Sequence, residues 1–374
     1  MLTVREVTTK RDMRKFVNFP LKLYKKCEQF TPPIYSDEMK LLGGNPAYRD
    51  VADSILFIAE RDGKIVGRIQ GIIQHVHNDI HNEKRIRFSR FDSIDDFEVS
   101  RALFAAVEKY GSEHGMTEIC GPLGYSDLDR EGLLIDGFDY EATFEEQYNY
   151  DYYPKLVEDA GLSKEIDWYE FRLFAPERPN EFIPRIAERV LEMNGLHMAD
   201  RSMPKKAYIE KYADSAFDCI DKCYSHLYGT VPFTENMKKD LIDQFLLILN
   251  NNHLVFICDD DERVVALALS FPSIGSALRK SGGRLTLPAV IKLLRTVKKP
   301  TSIDLGLIAV LPEYQNVGVN AVLLNGLLDD LCSGRIAYYE TNLNLETNTQ
   351  VMAQWKYFKA VQHKRRRAYL KKIN

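Results

Sequence analysis

The chain has 374 residues, with 50 Lys and Arg against 54 Asp and Glu and a formal net charge of −4. Its 45% hydrophobic and 11% aromatic content is that of a folded protein with length for two domains, each able to bury its own core. That balance excludes a disordered chain and gives no global electrostatic reason for a nucleic-acid partner, and no apolar run approaches the roughly 20 residues that span a bilayer.

Taken in chain order, the start Met1–Arg5 lacks the apolar stretch of a signal peptide. The cysteines (Cys27, Cys120, Cys219, Cys223, Cys258, Cys332) are scattered and read as free thiols, so the expected compartment is the cytoplasm. Residues 57–72 (FIAERDGKIVGRIQGI) form two apolar strands around Asp62-Gly63, a tight-turn signal because Gly accepts positive φ without steric cost. His75, His77 and His81 follow; on a strand the first two share a face, but no further ligand completes a set, and no metal is expected. A helix is predicted over residues 97–114, opened by Asp95-Asp96, whose carboxylates stabilise the helix dipole and repel an anion. The insert 121–147 is rich in Asp, Glu and Tyr, either a packed surface loop or a segment that binds a cationic acceptor such as a polyamine or basic peptide. Asn149 is predicted to start a helix that leads to a strand over residues 168–173.

Two prolines in residues 175–179 suggest a linker, dividing the chain into 1–174 and 175–374. Residues 181–250 are predicted mostly helical, with Thr234 as a helix cap. Residues 256–271 (FICDDDERVVALALSF) repeat the earlier hairpin 199 positions on, and Asn348 repeats Asn149 at the same offset, which suggests duplication of one domain. The stripe Leu287, Val290, Ile291, Leu294 and Val297 is predicted to be a core-facing helix rather than a membrane-surface one. Residues 302–310 are a predicted central strand. The loop Gln315-Asn316-Val317-Gly318-Val319-Asn320 then opens a helix burying Val319, Leu323, Leu327 and Leu331. Glycine at such a turn lets backbone N–H groups converge at the positive end of the helix dipole, a cradle for a diphosphate. The basic run 363–367 is predicted to be a solvated final strand.

The segment from Leu307 to Leu331 resembles motif A of the GNAT acyltransferases, whose loop reads Arg/Gln-x-x-Gly-x-Gly/Ala: Gln315, Gly318 and Asn320 fall on its defining positions. Residues 338–358 resemble the fifth strand and following helix of that superfamily. Further stretches, among them residues 16–24, 31–33, 61–69, 132–138 and 364–369, resemble uncharacterised bacterial proteins with two fused GNAT-like modules. The resemblance implies an α/β (α+β) fold of two tandem modules, each a twisted mixed sheet flanked by helices, the first degenerate.

It also implies acetyl-CoA as co-substrate. Ile308, Ala309 and Val310 would pair with pantetheine, Gln315, Asn316, Val317, Gly318, Val319 and Asn320 would hold the pyrophosphate, and Asn348 would contact the pantetheine arm. The acceptor would be a small-molecule or peptide amine. Glu340 or Glu346 would take its proton, and Tyr357 is the nearest tyrosine to the family's acid position, which is Trp355 here. Asn320 stands where the family has Gly or Ala, and the loop carries no Lys or Arg. A non-catalytic binding module and an aminoacyl-tRNA-dependent transferase are the alternative readings. No nucleic-acid or membrane partner is expected, and a homodimer is left open.

Overall fold

A computed structural model describes residues 1–178, 182–249 and 251–373. The first half contains β1 (Leu2–Glu6), α1 (Lys10–Leu23), α2 (Tyr35–Leu42), β2 (Ala52–Arg61), β3 (Lys64–Gln74), α3 (His75–His81), β4 (Arg85–Ser93), α4 (Phe97–Glu113), β5 (Glu118–Gly121), β6 (Leu133–Asp136), α5 (Tyr153–Asp159) and β7 (Ser163–Phe174). The second contains α6 (Phe182–Met193), β8 (His197–Met198), α7 (Lys205–Tyr224), α8 (Glu235–Phe245), β9 (Leu254–Cys258), β10 (Val264–Pro272), α9 (Gly275–Leu278) and α10 (Leu287–Lys298). It continues with β11 (Ser302–Val310), α11 (Val319–Cys332), β12 (Tyr338–Thr341), β13 (Asn344–Leu345), α12 (Thr349–Met352) and β14 (Lys359–Lys372).

Local chemistry sets many of these ends. Asp62 and Gly63 both take positive φ (50° and 76°), the geometry of a two-residue hairpin whose twist matches its strands. Thr9, Asp96 and Thr234 cap α1, α4 and α8 by accepting backbone N–H bonds. In α11 the apolar positions Val319, Leu323, Leu327 and Leu331 are buried, as their spacing requires.

The strands join in one mixed sheet, in the order β1-β2-β3-β4-β5-β14-β7-β12-β11-β10-β9-β8. In each half a pair of neighbouring strands is parallel, β4 with β5 and β11 with β12, and the rest of its path is antiparallel. The order also shows an exchange. β7, which ends the first half, pairs with β12 of the second, and β14, which ends the second, pairs with β5 of the first. β7 and β14 pair with each other through eleven registered positions, so the centre of the sheet is built from the last strands of the two halves. One apolar core lies under β9–β11 and α7, and another under β3–β5 and α4.

Several local expectations differ. His75–His81 is a helix, so the proposed strand face shared by His75 and His77 does not exist; His77 instead contacts the Thr230 carbonyl at 3.0 Å. Asn149 does not open a helix. It is buried and bonds both the N–H and the C=O of Leu134, and the helix starts at Tyr153. In α10 it is Ala289 and Leu293 that are buried, while Leu287, Ile291 and Leu294 of the expected core stripe face outward. The 363–367 run is not solvated: His363, Lys364 and Arg366 are buried. Pro179 of the expected linker, and both ends of the expected helical stretch at Glu181 and Asn250, lie outside the described residues.

Because β14 separates β5 from β7, a chain ending at Phe358 would leave the facing edges of both halves unpaired. Such a truncation is expected to lose its cooperative thermal transition and to aggregate, monitored by circular dichroism and light scattering. A soluble 1–358 fragment with an unchanged melting curve would contradict the exchange.

Candidate functional site

β11 and β12 run side by side only from Ser302 to Leu305 against Tyr338 to Thr341. At that point β11 carries a bulge: Leu269 of β10 faces Leu307 and Ser270 faces Leu305, so Gly306 is left over. A Cβ at Gly306 would stand 3.0 Å from the Phe271 ring and 3.3 Å from the Leu269 carbonyl, which is why a glycine fits there. Past this bulge the strands part, and the gap opens into a cavity of about 130 Å³ lined by Gly306, Leu307, Asn342 and Leu343.

Beyond the gap, β11 leads through Leu311 and a short turn into the 315–320 loop. Gly318 has φ 95° and a Cβ there would meet Val190 of α6 at 2.9 Å, so the position demands glycine on both counts. Among the described residues, the N–H groups of Asn316, Val317, Gly318, Val319 and Asn320 donate to no backbone carbonyl. They are the open donors of a helix start, next to the positive end of the α11 dipole. Gln315, Asn316 and Val317 are exposed, Gly318 and Asn320 half-buried, and Val319 buried.

The free edge of β11 is partly occupied. Tyr224, the last residue of α7, donates its hydroxyl to the Ile308 carbonyl at 3.1 Å, and Gln315 Nε2 donates to the Val310 carbonyl at 3.0 Å. A strand residue turns its N–H and C=O the same way, so Ile308 and Val310 present both groups to the gap while Ala309 faces β10. Asn348 caps α12, its Oδ1 accepting from the Val351 N–H at 3.3 Å.

The candidate proton acceptors are placed differently from one another. Glu340 is buried beside the start of the gap but is fully engaged. Its Oε1 accepts from Lys364 Nζ and His363 Nε2, each at 2.7 Å, and its Oε2 from Arg172 Nε at 2.9 Å. Burial pushes its carboxyl up, but Lys364, His363 and Arg172 outweigh burial and hold it at about 2. Glu346 is tied to the Asp167 N–H and to Lys164 and does not line the cavity. Tyr357 is half-buried in the turn before β14, with Lys356 over its ring, also away from the cavity. Trp355 is buried, its indole N–H donating to Asn344 Oδ1 at 3.2 Å.

The cavity holds what the motif reading did not find. Asp127, Asp129, Glu131, Glu145 and Glu146, all from the 121–147 insert, line it together with Tyr224 and Tyr228, and among the described residues no Lys, Arg or His does. The insert of the first half is therefore a wall of the gap in the second. Asp129 is neutralised by Arg90. Glu131 Oε2 and Glu146 Oε1 are buried with no hydrogen-bond partner. Burial and the neighbouring Asp127 push the Glu131 carboxyl well up; burial and Glu170 raise that of Glu146; burial lifts Asp127 to about 6. Composition flagged the insert as acidic, but only the fold reveals which strands it covers.

The equivalent place in the first half is closed. The start of α4, after β4, is capped by Asp96 Oδ1 on the Glu98 and Val99 N–H groups, and Asp96 pairs with Arg61 at 2.7 Å.

No family model matches this chain. A solved tandem GNAT protein from the clavulanic acid biosynthesis pathway superimposes over 100% of this chain and 99% of its own, with a TM-score of 0.57 and 12% identity. The chain has the tandem GNAT fold. At the sequence level it is similar to Protein YghO of Escherichia coli (26% identity, 99% of this chain and 95% of that protein). It is also similar to a bacterial ceramide synthase of Caulobacter vibrioides (25% identity, 79% of this chain and 77% of that protein). No helix among the described residues is long and apolar enough to cross a membrane.

The ion pairs of Glu340 predict a pH signature. A carboxyl near 2 in the fold and near its ordinary 4.5 in the unfolded chain stabilises the fold above about 4.5; the gain fades as pH falls toward 2. Glu340→Gln is therefore expected to lose about 3 kcal/mol of pH-dependent stability at neutral pH, with the deficit shrinking on acidification. Urea unfolding of both proteins from pH 7 down to pH 3 checks this; a deficit that stays constant with pH would contradict it.

Proposed function

We propose that the protein is an N-acyltransferase that moves an acyl group from a CoA thioester to an amine in the gap between β11 and β12. The observation that carries this reading is the continuous path from the bulge at Gly306, along the free edge of Ile308 and Val310, to the open N–H groups of residues 316–320. A diphosphate on those amides and the α11 dipole needs no lysine or arginine in the loop. Pantetheine lying along β11 would exchange with the Tyr224 and Gln315 side chains for the strand's carbonyls, and its thioester would arrive at the cavity beside Gly306. Asn348, at the cap of α12, keeps its amide N–H₂ for the pantetheine arm. Acetyl-CoA is the simplest donor for this path. The name of one relative, bacterial ceramide synthase, fits the same reaction class, because a ceramide is an amide.

In this reading the amine enters as an ammonium ion and gives a proton to a carboxylate of the 121–147 wall. Its lone pair attacks the thioester carbonyl, the tetrahedral intermediate collapses with cleavage of the C–S bond, and the thiolate takes the amine's second proton, giving amide and free CoA. Glu131 suits the first step better than Glu340: it lines the cavity and has a free oxygen, whereas both oxygens of Glu340 are engaged by Lys364, His363 and Arg172. Tyr224 lines the cavity with its hydroxyl already at the β11 edge, where it can hydrogen-bond the departing thiolate.

A second reading, a binding module without catalysis, is favoured by Val190 against Gly318 and by the side chains already on the β11 carbonyls. One titration separates the two. Acetyl-CoA is expected to bind the protein with measurable heat, and Val317→Glu, an exposed change that puts a negative charge beside the phosphates, is expected to weaken it at least tenfold. No heat, or equal affinity in the variant, would overturn the donor site. Glu131→Gln is expected to leave acetyl-CoA affinity intact and to lower turnover about 100-fold or more.

A further inference from the structure

A second cavity, of about 110 Å³, lies between α7 and α8 above the sheet. Every side chain that lines it is aliphatic or phenyl, including Ala213, Ala216 and Phe217 of α7, Leu241 and Ile242 of α8, and Leu267 of β10. Apolar space of this kind favours an apolar ligand, since water finds no hydrogen-bond partner on its walls. It adjoins the acidic cavity: Leu128, Phe245, Leu269 and Leu307 line both. At its other end Ile209, Ala213, Phe217 and Ile242 are only half-buried, so the apolar space opens to the surface between the two helices.

The two cavities together ask for a ligand with two chemistries. One end is walled by five carboxylates with no basic side chain among its lining residues, and two of these carboxylates, on Glu131 and Glu146, each keep a buried oxygen without a partner. A cation that donates hydrogen bonds satisfies both oxygens, and an ammonium group has three donors for them. The other end offers only dispersion and hydrophobic contact. A polyamine would bring charges into the apolar section, and a free fatty acid would bring a carboxylate to the acidic section; each is penalised at one end.

We infer that the acceptor is a primary alkylamine, its ammonium group held between Glu131 and Glu146 and its hydrocarbon chain running past Leu128 and Phe245 into the space between α7 and α8. This rests on the acyl-transfer reading only for the word acceptor; the binding itself needs no CoA. The ammonium sits in the cavity beside Gly306, where a thioester carried along β11 would end. The chain leaves on the side of α7 and α8, away from the 315–320 loop that would hold the nucleotide.

The test is equilibrium binding of n-alkylamines from six to twelve carbons to the full-length protein without CoA, each below its micelle concentration, by calorimetry at pH 7. Alkanols and alkanoates of the same lengths and spermidine serve as comparisons. Affinity is expected to rise about three- to fourfold per added methylene. The matching alkanol is expected to bind at least tenfold more weakly and the alkanoate not at all. Ala213→Trp, a change at the rim of the apolar space, is expected to flatten the dependence on chain length. Leu241→Phe narrows the same space from α8 and repeats the measurement if the first variant does not fold. Glu131→Gln is expected to abolish the preference for amine over alkanol while the chain-length slope remains. Spermidine or a lysine peptide binding as tightly as dodecylamine, or an absent chain-length slope, would overturn the inference. Alkanoate binding more tightly than amine would overturn it too, by giving the apolar space to the donor's acyl chain. Failure of acetyl-CoA to bind would leave these results readable, so the two readings fail separately.

Discussion

Each half of the chain ends in a strand that completes the sheet of the other half, and the two strands meet at a buried set of charges. Lys364 and Arg366 of β14 face Glu170 of β7, both at 2.7 Å, and Lys364 reaches Glu340 of β12 and Glu146 of the insert at 2.7 and 3.1 Å. His363 sits at a shift in the β14 register, so it and Lys364 both reach Glu340 although they are neighbours in sequence. Burial opposes every one of these charges; the attraction outweighs it at Glu170 and Glu340 but not at Glu146, whose carboxyl stays raised. Burial pushes the Glu170 carboxyl up, yet Lys364 and Arg366 hold it at about 2. Replacing one member leaves a buried charge uncompensated, so this cluster fixes the register of the whole centre of the sheet.

The candidate site depends on that register. Glu146 belongs both to the cluster, through Oε2 on Lys364 and Arg366, and to the cavity, through its unpartnered Oε1. The insert that carries Glu131 and Glu146 is pinned at its end by Arg366, which also bonds the Gln147 carbonyl. The first half, whose own helix start is capped by Asp96, thus contributes the acidic wall of the gap between β11 and β12.

Much of this organisation was legible in the sequence. The duplicated hairpins, the central strand and the glycine loop follow from periodicities and turn chemistry that act within a few residues, and Asp62-Gly63 and Gly318 adopt the positive φ expected of them. What could not be read depends on long-range pairing. The exchange of β7 and β14 joins positions some 200 residues apart, and strand periodicity is the same whichever neighbour a strand takes. Glu340 stands at the expected strand position, but its ion pairs come from residues 172, 363 and 364, which no local pattern links to it. The basic run 363–367 reads as solvated because charge normally is; it is buried because three carboxylates from distant segments converge on it.

We propose that a CoA thioester meets an amine in the gap between β11 and β12, walled by the first half's insert. The most direct measurement is a crystal structure with CoA bound. The account predicts diphosphate density on the N–H groups of residues 316–320 and the thiol in the cavity beside Gly306, facing Glu131. A nucleotide at the start of α4, or a loop that stays closed under Val190 with CoA elsewhere, would contradict it.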